Sequence, residues 1–375
     1  MESVRIQQLK VAFDSVAFAR PDVGGVARYF ATLARELSFE PGVKIKVFSP
    51  FYRNKYAHSM CNRLITGLFV PTLQNTGLLV ETASRYVSEL QMRMGSCDVV
   101  HETGYTMKPC PIEAKARVIT IHDMIHELFP MPGSQKITFL KRRAVERADH
   151  ILCVSRQTQA DLIRLFDVLP SKTSVTYLGV EKARNYSNAT PPLMGGLGKP
   201  YLLYVGGRGG AHKNFAGFLR AVASSGILKK GVDTICFGGG PFNDFERELI
   251  ISLGFGSGQV RQVSGSDESM GAYYTNAAAF VYPSIYEGFG IPPLEAMSMG
   301  CPVIASNKGA IPEVVGSAAR LCCATDIAEL AEAIETVVFD SAVKEGLVAE
   351  GYLRSSLFTW KKCAEETLHA YRSVM

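Results

Sequence analysis

No apolar run in this 375-residue chain reaches the ~18 positions that a membrane-spanning helix needs, so any bilayer contact is expected to be peripheral. Metal-type cysteine spacing is missing too. The nine cysteines are dispersed, without a Cys-x-x-Cys pair or a Cys/His cluster, and the adjacent Cys322 and Cys323 cannot easily both serve a framework. That usage reads as reduced thiols of a cytosolic protein. The first ten residues carry charge but no apolar core, which argues against a signal peptide. Asp-x-Asp occurs nowhere, so no closely spaced aspartate pair offers itself to a divalent metal. The net charge of +5 is mild and its basic residues are scattered among acids, so nucleic acid is not an expected partner. The cluster Lys141-Arg142-Arg143 reads as a solvated helix face.

What is present is the composition of a globular protein, 47% hydrophobic and 20% charged, with 34 glycines for tight turns. The length favours two domains over one core. Short apolar runs alternate with helical patterns throughout, the mark of α/β architecture with parallel sheets. In the first half, strands are expected at 11–14, 43–49, 98–102, 118–121, 150–154 and 174–178, with helices at 26–37, 136–148 and 156–165. Residues 182–200 are polar and rich in Pro and Gly, and read as an interdomain linker. The alternation then restarts, with strands at 201–205, 234–238, 260–263, 279–283 and 302–305. Helices are expected at 215–222, 242–253, 268–276 and 292–299, then along a tail at 327–374 punctuated by Gly346 and Gly351. Two such units imply a cleft between them, with ligand at the carboxyl ends of the strands.

The stretch from Asn62 to Val87 is apolar but flanked by Arg53, Lys55, Arg63 and Arg85. Its first reading is a buried helix interrupted by Pro71. The second is an amphipathic surface that touches an anionic bilayer.

The most informative string is Pro283-Ser-Ile-Tyr-Glu-Gly-Phe-Gly-Ile-Pro-Pro-Leu-Glu-Ala-Met-Ser-Met-Gly300. Glu287 closes a strand turn, Gly288 and Gly290 let backbone approach a ligand, and Glu295 follows on a helix opened by Pro292 and Pro293. Free amides at that helix start suit a diphosphate, and Glu295 suits hydroxyls such as those of a ribose. The glycine-rich loop Gly206-Gly-Arg-Gly-Gly fails the dinucleotide spacing, because His212 stands where a third glycine would fall.

That string, with its Glu-x7-Glu spacing, resembles the signature of glycosyltransferase family 4. So do Leu203-Tyr-Val-Gly-Gly-Arg-Gly-Gly-Ala-His-Lys-Asn214, Phe237-Gly-Gly-Gly-Pro241, the stretch from Ala296 to Ala305 and the stretch from Gly309 to Val315, each in the family's order. Phe358-Thr-Trp360 begins a last helix like the family's closing one. The resemblance implies a GT-B fold of two Rossmann-like domains facing across a cleft. It would place an acceptor-binding domain at 1–187, a nucleotide-sugar-binding domain at 198–355 and a helix crossing back to the first domain at 356–375.

By the same resemblance, Arg208 and Lys213 match the basic pair on the donor diphosphate, with Glu295 on the ribose. Glu287 and the backbone of Gly288, Phe289 and Gly290 match the groups at the transferred sugar. Gly24 and Gly25 match a glycine turn approaching the phosphates, and His122 matches the active-site histidine at a strand end. Asp123 reads as a structural partner of that histidine, His101 as a satisfied core histidine and His126 as bland.

The implied reaction is retaining transfer of a hexose, best matched by mannose from GDP-mannose, with no cofactor and no metal. The implied acceptor is a glycan or a polyprenyl-diphosphate-linked oligosaccharide in bacterial surface polysaccharide synthesis. A front-face mechanism fits, because no carboxylate is evidently placed as a nucleophile. Cytoplasmic placement, peripheral to the inner membrane, is the expected setting. The alternative is a GT-B nucleotide-sugar 2-epimerase.

Overall fold

The computed structural model describes residues 8–19, 25–60, 63–71, 76–181 and 199–375. Gly24 and most of the expected linker lie outside them. The chain divides into two units, one of Met1–Gly179 with Trp360–Met375 and one of Val180–Thr359.

Unit 1 runs β1 (Leu9–Phe13), α1 (Gly25–Leu37), β2 (Val43–Tyr52), α2 (Lys55–His58), β3 (Ile65–Phe69), α3 (Gly77–Arg93) and β4 (Ser96–Glu102). It continues with β5 (Glu113–Ile121), α4 (Ile125–Leu128), α5 (Ser134–Arg147), β6 (His150–Cys153), α6 (Arg156–Phe166) and β7 (Thr173–Val175). All seven strands are parallel, in the order β3-β2-β1-β4-β5-β6-β7, with Phe13 of β1 opposite His101 of β4. Central strands of a parallel sheet are covered on both faces, which is why Val11, Phe13, Val99, Val118 and Ile151 are all buried. Helix α1 turns Tyr29, Phe30, Leu33 and Leu37 inward at helical spacing.

Unit 2 runs β8 (Tyr201–Val205), α7 (Phe215–Ser224), α8 (Gly226–Gly231), β9 (Asp233–Phe237), α9 (Asp244–Ser252), β10 (Val260–Val263) and α10 (Asp267–Asn276). Then come β11 (Ala279–Tyr282), α11 (Ile291–Ser298), β12 (Val303–Ser306), α12 (Ile311–Val315), β13 (Arg320–Cys322), α13 (Ile327–Phe339) and α14 (Ser341–Ser356). Its six parallel strands lie in the order β10-β9-β8-β11-β12-β13. One core joins Leu202, Tyr204 and Val281 of the sheet to Phe218 and Val222 of α7 and Ile334 of α13. Helix starts are chemically marked, most fully at α9, where Asn243 and Glu246 form a reciprocal capping box.

The last helix, α15 (Trp360–Ser373), belongs to unit 1 and packs on α1. Tyr371 ties it to the sheet through a 2.6 Å hydrogen bond with His101 Nδ1.

Three expectations are corrected. Where they are described, residues 63–71 and 76–87 are not one buried helix: β3 extends the sheet at its edge, and α3 packs on β2 through Ser84, Ser88 and Met92. Its larger apolar side chains face outward, with Leu78 80%, Leu79 73% and Tyr86 75% exposed. In the tail the breaks fall at Asp340, which caps α14, and at 357–359 rather than at the glycines. Gly346 and Gly351 lie inside α14, and a Cβ on Gly351 would come within 3.2 Å of the Met297 side chain on α11. Lys141, finally, is not on a solvated face. It is 1% exposed, with its ammonium 2.7 Å from Glu127 Oε2 and 2.9 Å from the Asp123 carbonyl.

Candidate active site

In unit 2 the chain leaves β8 towards β9 on one side and arrives at β11 on the other. The carboxyl ends of β8 and β11 are therefore the topological switch point, where open parallel sheets bind ligands. The loop after β8 ends in a 3-10 turn, Ala211–Lys213, and the loop after β11 carries Ile285, Tyr286 and Glu287. The two loops are stitched together: Ile285 N donates to the His212 carbonyl at 2.7 Å. Across that seam Lys213 Nζ lies 2.7 Å from Glu287 Oε1, although the two are 74 positions apart in sequence.

Glu287 is buried, and its carboxylate is hydrogen-bonded by the Tyr282 hydroxyl. Burial, then the charge of Glu287, hold that phenol well above its usual range. Lys213 keeps a quarter of its side chain exposed. A partly exposed ammonium anchored by a buried carboxylate can turn to meet an incoming anion.

Gly290 begins α11 at φ +103, a backbone conformation that L side chains rarely adopt. The expectation of a row of free amides at this helix start needs correction. Pro292 and Pro293 are the second and third helical residues and have no N–H, which leaves the amides of Ile291 and Leu294 in the first turn. Glu295, the fifth residue, is buried on the same helix. The Phe289 side chain is a packing group, edge-on to Phe358 at 5.8 Å, so only its backbone is left to meet a ligand.

Arg208 departs furthest from expectation. It is not a loop cation awaiting an anion but a buried strut, its side chain 2% exposed. Nε pairs with Glu246 Oε1 at 2.8 Å, Nη1 donates to the Gly238 carbonyl at 3.0 Å, and Nη2 donates to the Gly240 carbonyl at 2.7 Å. Phe242 stacks under the guanidinium at 4.8 Å. The turn it holds, Gly238-Gly239-Gly240, has positive φ throughout, and a Cβ on Gly239 would come within 2.7 Å of Arg208 Nη1. Its fork is spent on Glu246 and this turn, so of the expected basic pair only Lys213 faces outward.

In unit 1, Gly25 opens α1. His122 sits just past the end of β5, edge-on to Tyr29 at 5.1 Å. Its Nε2 is buried with no hydrogen-bond partner among the described residues. Burial, with a smaller push from Lys141, lowers its pKa to about 4 against the opposing pull of Asp123, so the ring is neutral near pH 7. That leaves a buried, unpartnered ring nitrogen at the carboxyl end of a central strand. Asp123 is structural, accepting from the Ile125 amide at 3.0 Å. His126 meets Ser134 at 3.0 Å. His101 is a core residue, satisfied by Tyr371 and by Thr120 at 2.9 Å, with burial pushing its pKa down to about 3.

Sequence reasoning passed over Asp14, which follows β1 at the switch point of this sheet, beside β4. The residue is 7% exposed, and burial raises its pKa to about 6, helped by the nearby Glu102. The available signal was an aspartate closing an apolar strand.

Two all-parallel α/β units, with the closing helix returned to the first, are the parts of the GT-B fold. Comparison with known proteins agrees. Residues 23–184 match Glycosyltransferase Family 4, and residues 196–353 match the Glycosyl transferases group 1 family. The chain is 26% identical to O-antigen chain mannosyltransferase B of Escherichia coli, over 97% of this chain and 100% of that one. It is 29% identical to the MMP alpha-(1->4)-mannosyltransferase of Mycolicibacterium hassiacum, over 63% of this chain and 57% of that one. Among solved structures, Anabaena Alr3699/HepE in complex with UDP and glucose superposes with a TM-score of 0.75 at 17% identity, covering 98% of this chain and 100% of that one. The chain belongs to the family 4 glycosyltransferases of GT-B fold. It is a glycosyltransferase, and nothing in these comparisons supports the epimerase alternative.

Proposed function

We propose that this enzyme transfers mannose, with retention, from GDP-mannose to a glycan or lipid-linked oligosaccharide during bacterial surface polysaccharide synthesis. The single observation that carries a donor site is the Lys213–Glu287 pair bridging the β8/β11 switch point. The choice of mannose and of O-antigen rests on full-length similarity to a protein named as an O-antigen mannosyltransferase. In this reading Lys213 takes the diphosphate, whose negative charge grows as the sugar leaves, together with the amides of Ile291 and Leu294. Glu295 takes the ribose, Glu287 and the Gly288–Gly290 backbone take the sugar, and His122 lines the sugar site as a neutral imidazole. Gly25, which opens α1, keeps its assignment to the donor phosphates. Arg208 keeps the glycine turn in place and does not contact the donor.

The acceptor hydroxyl attacks on the face that the diphosphate leaves, and a leaving phosphate oxygen takes its proton. No metal is required, so turnover is expected to survive excess EDTA. Loss of turnover on chelation, restored by magnesium or manganese, would show that the diphosphate is held differently.

The enzyme works at the cytoplasmic face of the inner membrane, touching anionic lipid through the exposed Leu78, Leu79 and Tyr86 of α3, with Arg85 and Arg93 beside them. No helix among the described residues is long and apolar enough to cross a bilayer. The experiment that tests the reaction is a panel of GDP-mannose, GDP-fucose and UDP-hexoses scored by product mass.

A further inference from the structure

Lys141 lies on α5 with its side chain 1% exposed, and no step of the transfer uses it. Its ammonium reaches three residues of one short segment: the Asp123 carbonyl at 2.9 Å, Met124 Sδ at 4.0 Å and Glu127 Oε2 at 2.7 Å. That segment starts at the residue after His122 and runs from the end of β5 into α4. We propose that Lys141 is a positioning residue for transfer: from α5 it fixes the backbone just after His122, and so the placement of the imidazole. The inference rests on the transferase reading above, in which His122 lines the sugar site, and deepens it by naming what holds that ring.

Stability alone does not account for an ammonium here. Burying an ion pair costs desolvation that its attraction barely offsets, and apolar side chains of similar volume hold two helices together as well or better. An apolar side chain, however, has no donor for the Asp123 carbonyl, whereas an ammonium carries three. One donor is directed at that carbonyl and another at Glu127, so the chain is fixed at one point before α4 and one within it. Glu127 keeps the ammonium aimed at this segment. Its side chain is 5% exposed, Oε1 has no hydrogen-bond partner among the described residues, and Oε2 pairs with Lys141.

Two further grips act on the histidine itself. Tyr105, from the loop joining β4 to β5, accepts a hydrogen bond from the His122 amide at its hydroxyl, and the Lys141 ammonium lies 5.6 Å from the centre of the Tyr105 ring. Tyr29 and Phe30 of α1 stand edge-on to the imidazole at 5.1 and 5.9 Å. His122 is thus held at its amide by Tyr105, one residue on by Lys141, and at its ring by α1, which leaves Nε2 as the buried, unpartnered atom. Groups that act on a substrate have to stay within about 0.5 Å of their working geometry. Releasing one of the three grips is expected to exceed that while leaving the sheet intact.

Helix α5 is a firm base for the Lys141 grip. Ala144 and Val145 pack inward, and Arg147 near its end donates to buried Glu102 at 3.0 Å. His126 Nδ1 meets Ser134 Oγ at 3.0 Å, a second link between α4 and the start of α5. Charge works in the same sense. Burial lowers the His122 pKa most, Asp123 opposes, and Lys141 lowers it further, so the ammonium that places the ring also disfavours its protonation.

The test measures steady-state transfer by the full chain, from whichever nucleotide hexose the donor panel accepts, to a polyprenyl-diphosphate-linked oligosaccharide. Lys141→Met alone strands the Glu127 charge and is expected to melt lower, so the informative variant pairs Lys141→Met with Glu127→Gln. The paired variant is expected to melt within a few degrees of the parent and to lose about tenfold or more in kcat, with the donor KM unchanged. Glu127→Gln alone leaves the amine on the Asp123 carbonyl and is expected to turn over within about twofold of the parent. Because Lys141 acts through His122, adding the paired changes to His122→Ala should slow that variant little further. Parent-like kcat in the paired variant, with His122→Ala slow, would overturn the inference and leave His122 in the site. Equal slowing by Glu127→Gln alone, or losses fully additive with those of His122→Ala, would overturn it as well. A paired variant that melts far below the parent would mark Lys141 as a structural residue and refute the positioning role. Parent-like turnover in His122→Ala would remove the histidine from the transferase reading and the inference with it, and transfer from no donor would take down both.

Discussion

Removing Arg208 separates a structural cation from a catalytic one. A loop cation on a diphosphate would lower turnover and leave melting unchanged, since an exposed cation contributes little to stability. The geometry demands the opposite. Arg208→Ala strips Glu246 of its buried partner at 2.8 Å and leaves the carbonyls of Gly238 and Gly240 without their donors. Breaking a buried pair from one side costs about 3–5 kcal/mol, because a charge stays behind unpaired. In a unit of this size each kcal/mol moves the midpoint by roughly 2–4 °C, so the variant should melt about 10 °C lower. Differential scanning calorimetry on Arg208→Ala, Glu246→Gln and the double variant is the assay. The double variant should lose much less than the sum of the singles, since the second change removes the stranded charge. If Arg208→Ala melts with the parent and loses only turnover, the guanidinium leaves Glu246 to meet the donor and the strut assignment is wrong.

Other outcomes follow from the same geometry. Lys213→Ala should slow turnover about a hundredfold at saturating donor, the cost of about 3 kcal/mol of transition-state stabilisation, with its melting point within a few degrees of the parent's. An unaltered rate would move the diphosphate elsewhere. His122→Ala should cut turnover with donor affinity retained, measured by single-turnover and binding experiments; an unchanged rate would make it a packing residue. For Asp14 the folded pKa of about 6 lies above the ordinary carboxylate value of 3.8, so the folded state holds a proton that the unfolded state has released between those values. Stability therefore falls as pH rises from about 4 to 6 through this group, by at most about 3 kcal/mol. The melting advantage of Asp14→Asn should grow across that window, and a pH-independent difference would contradict the burial argument. Leu78→Ser with Leu79→Ser should lower co-sedimentation with anionic liposomes at low salt, and equal binding would remove α3 from the membrane contact.

The parallel alternation was legible because buried strands and amphipathic helices carry different periods, as β8, β11 and α1 show. Residues 62–87 were not, because α3 inverts the usual pattern. It turns Ser84 and Ser88 inward, where their hydroxyls meet Phe51 N and the Phe48 carbonyl, and leaves its leucines outside. Hydropathy has no means of announcing a helix that packs by its serines. In the site, Glu287 and Lys213 were legible as residue types in glycine-rich loops, but their pairing was not, since the β8/β11 adjacency that joins them is a property of strand order. Arg208 misled for a related reason. A cation in a glycine loop looks solvent-facing until the capping box of α9 brings Glu246 to it. Asp14 was hidden by length, one residue past a five-residue strand, with its burial set by Thr103 from β4's far end.

The most direct test of the account is the donor panel run on the parent beside Glu287→Gln and Lys213→Ala, with a polyprenyl-diphosphate-linked oligosaccharide as acceptor and product mass as readout. The account predicts addition of one hexose from GDP-mannose, retained α configuration at the anomeric carbon, and strong loss in both variants. Transfer from UDP-hexose alone would contradict the donor assignment. Full activity in both variants would contradict the site itself.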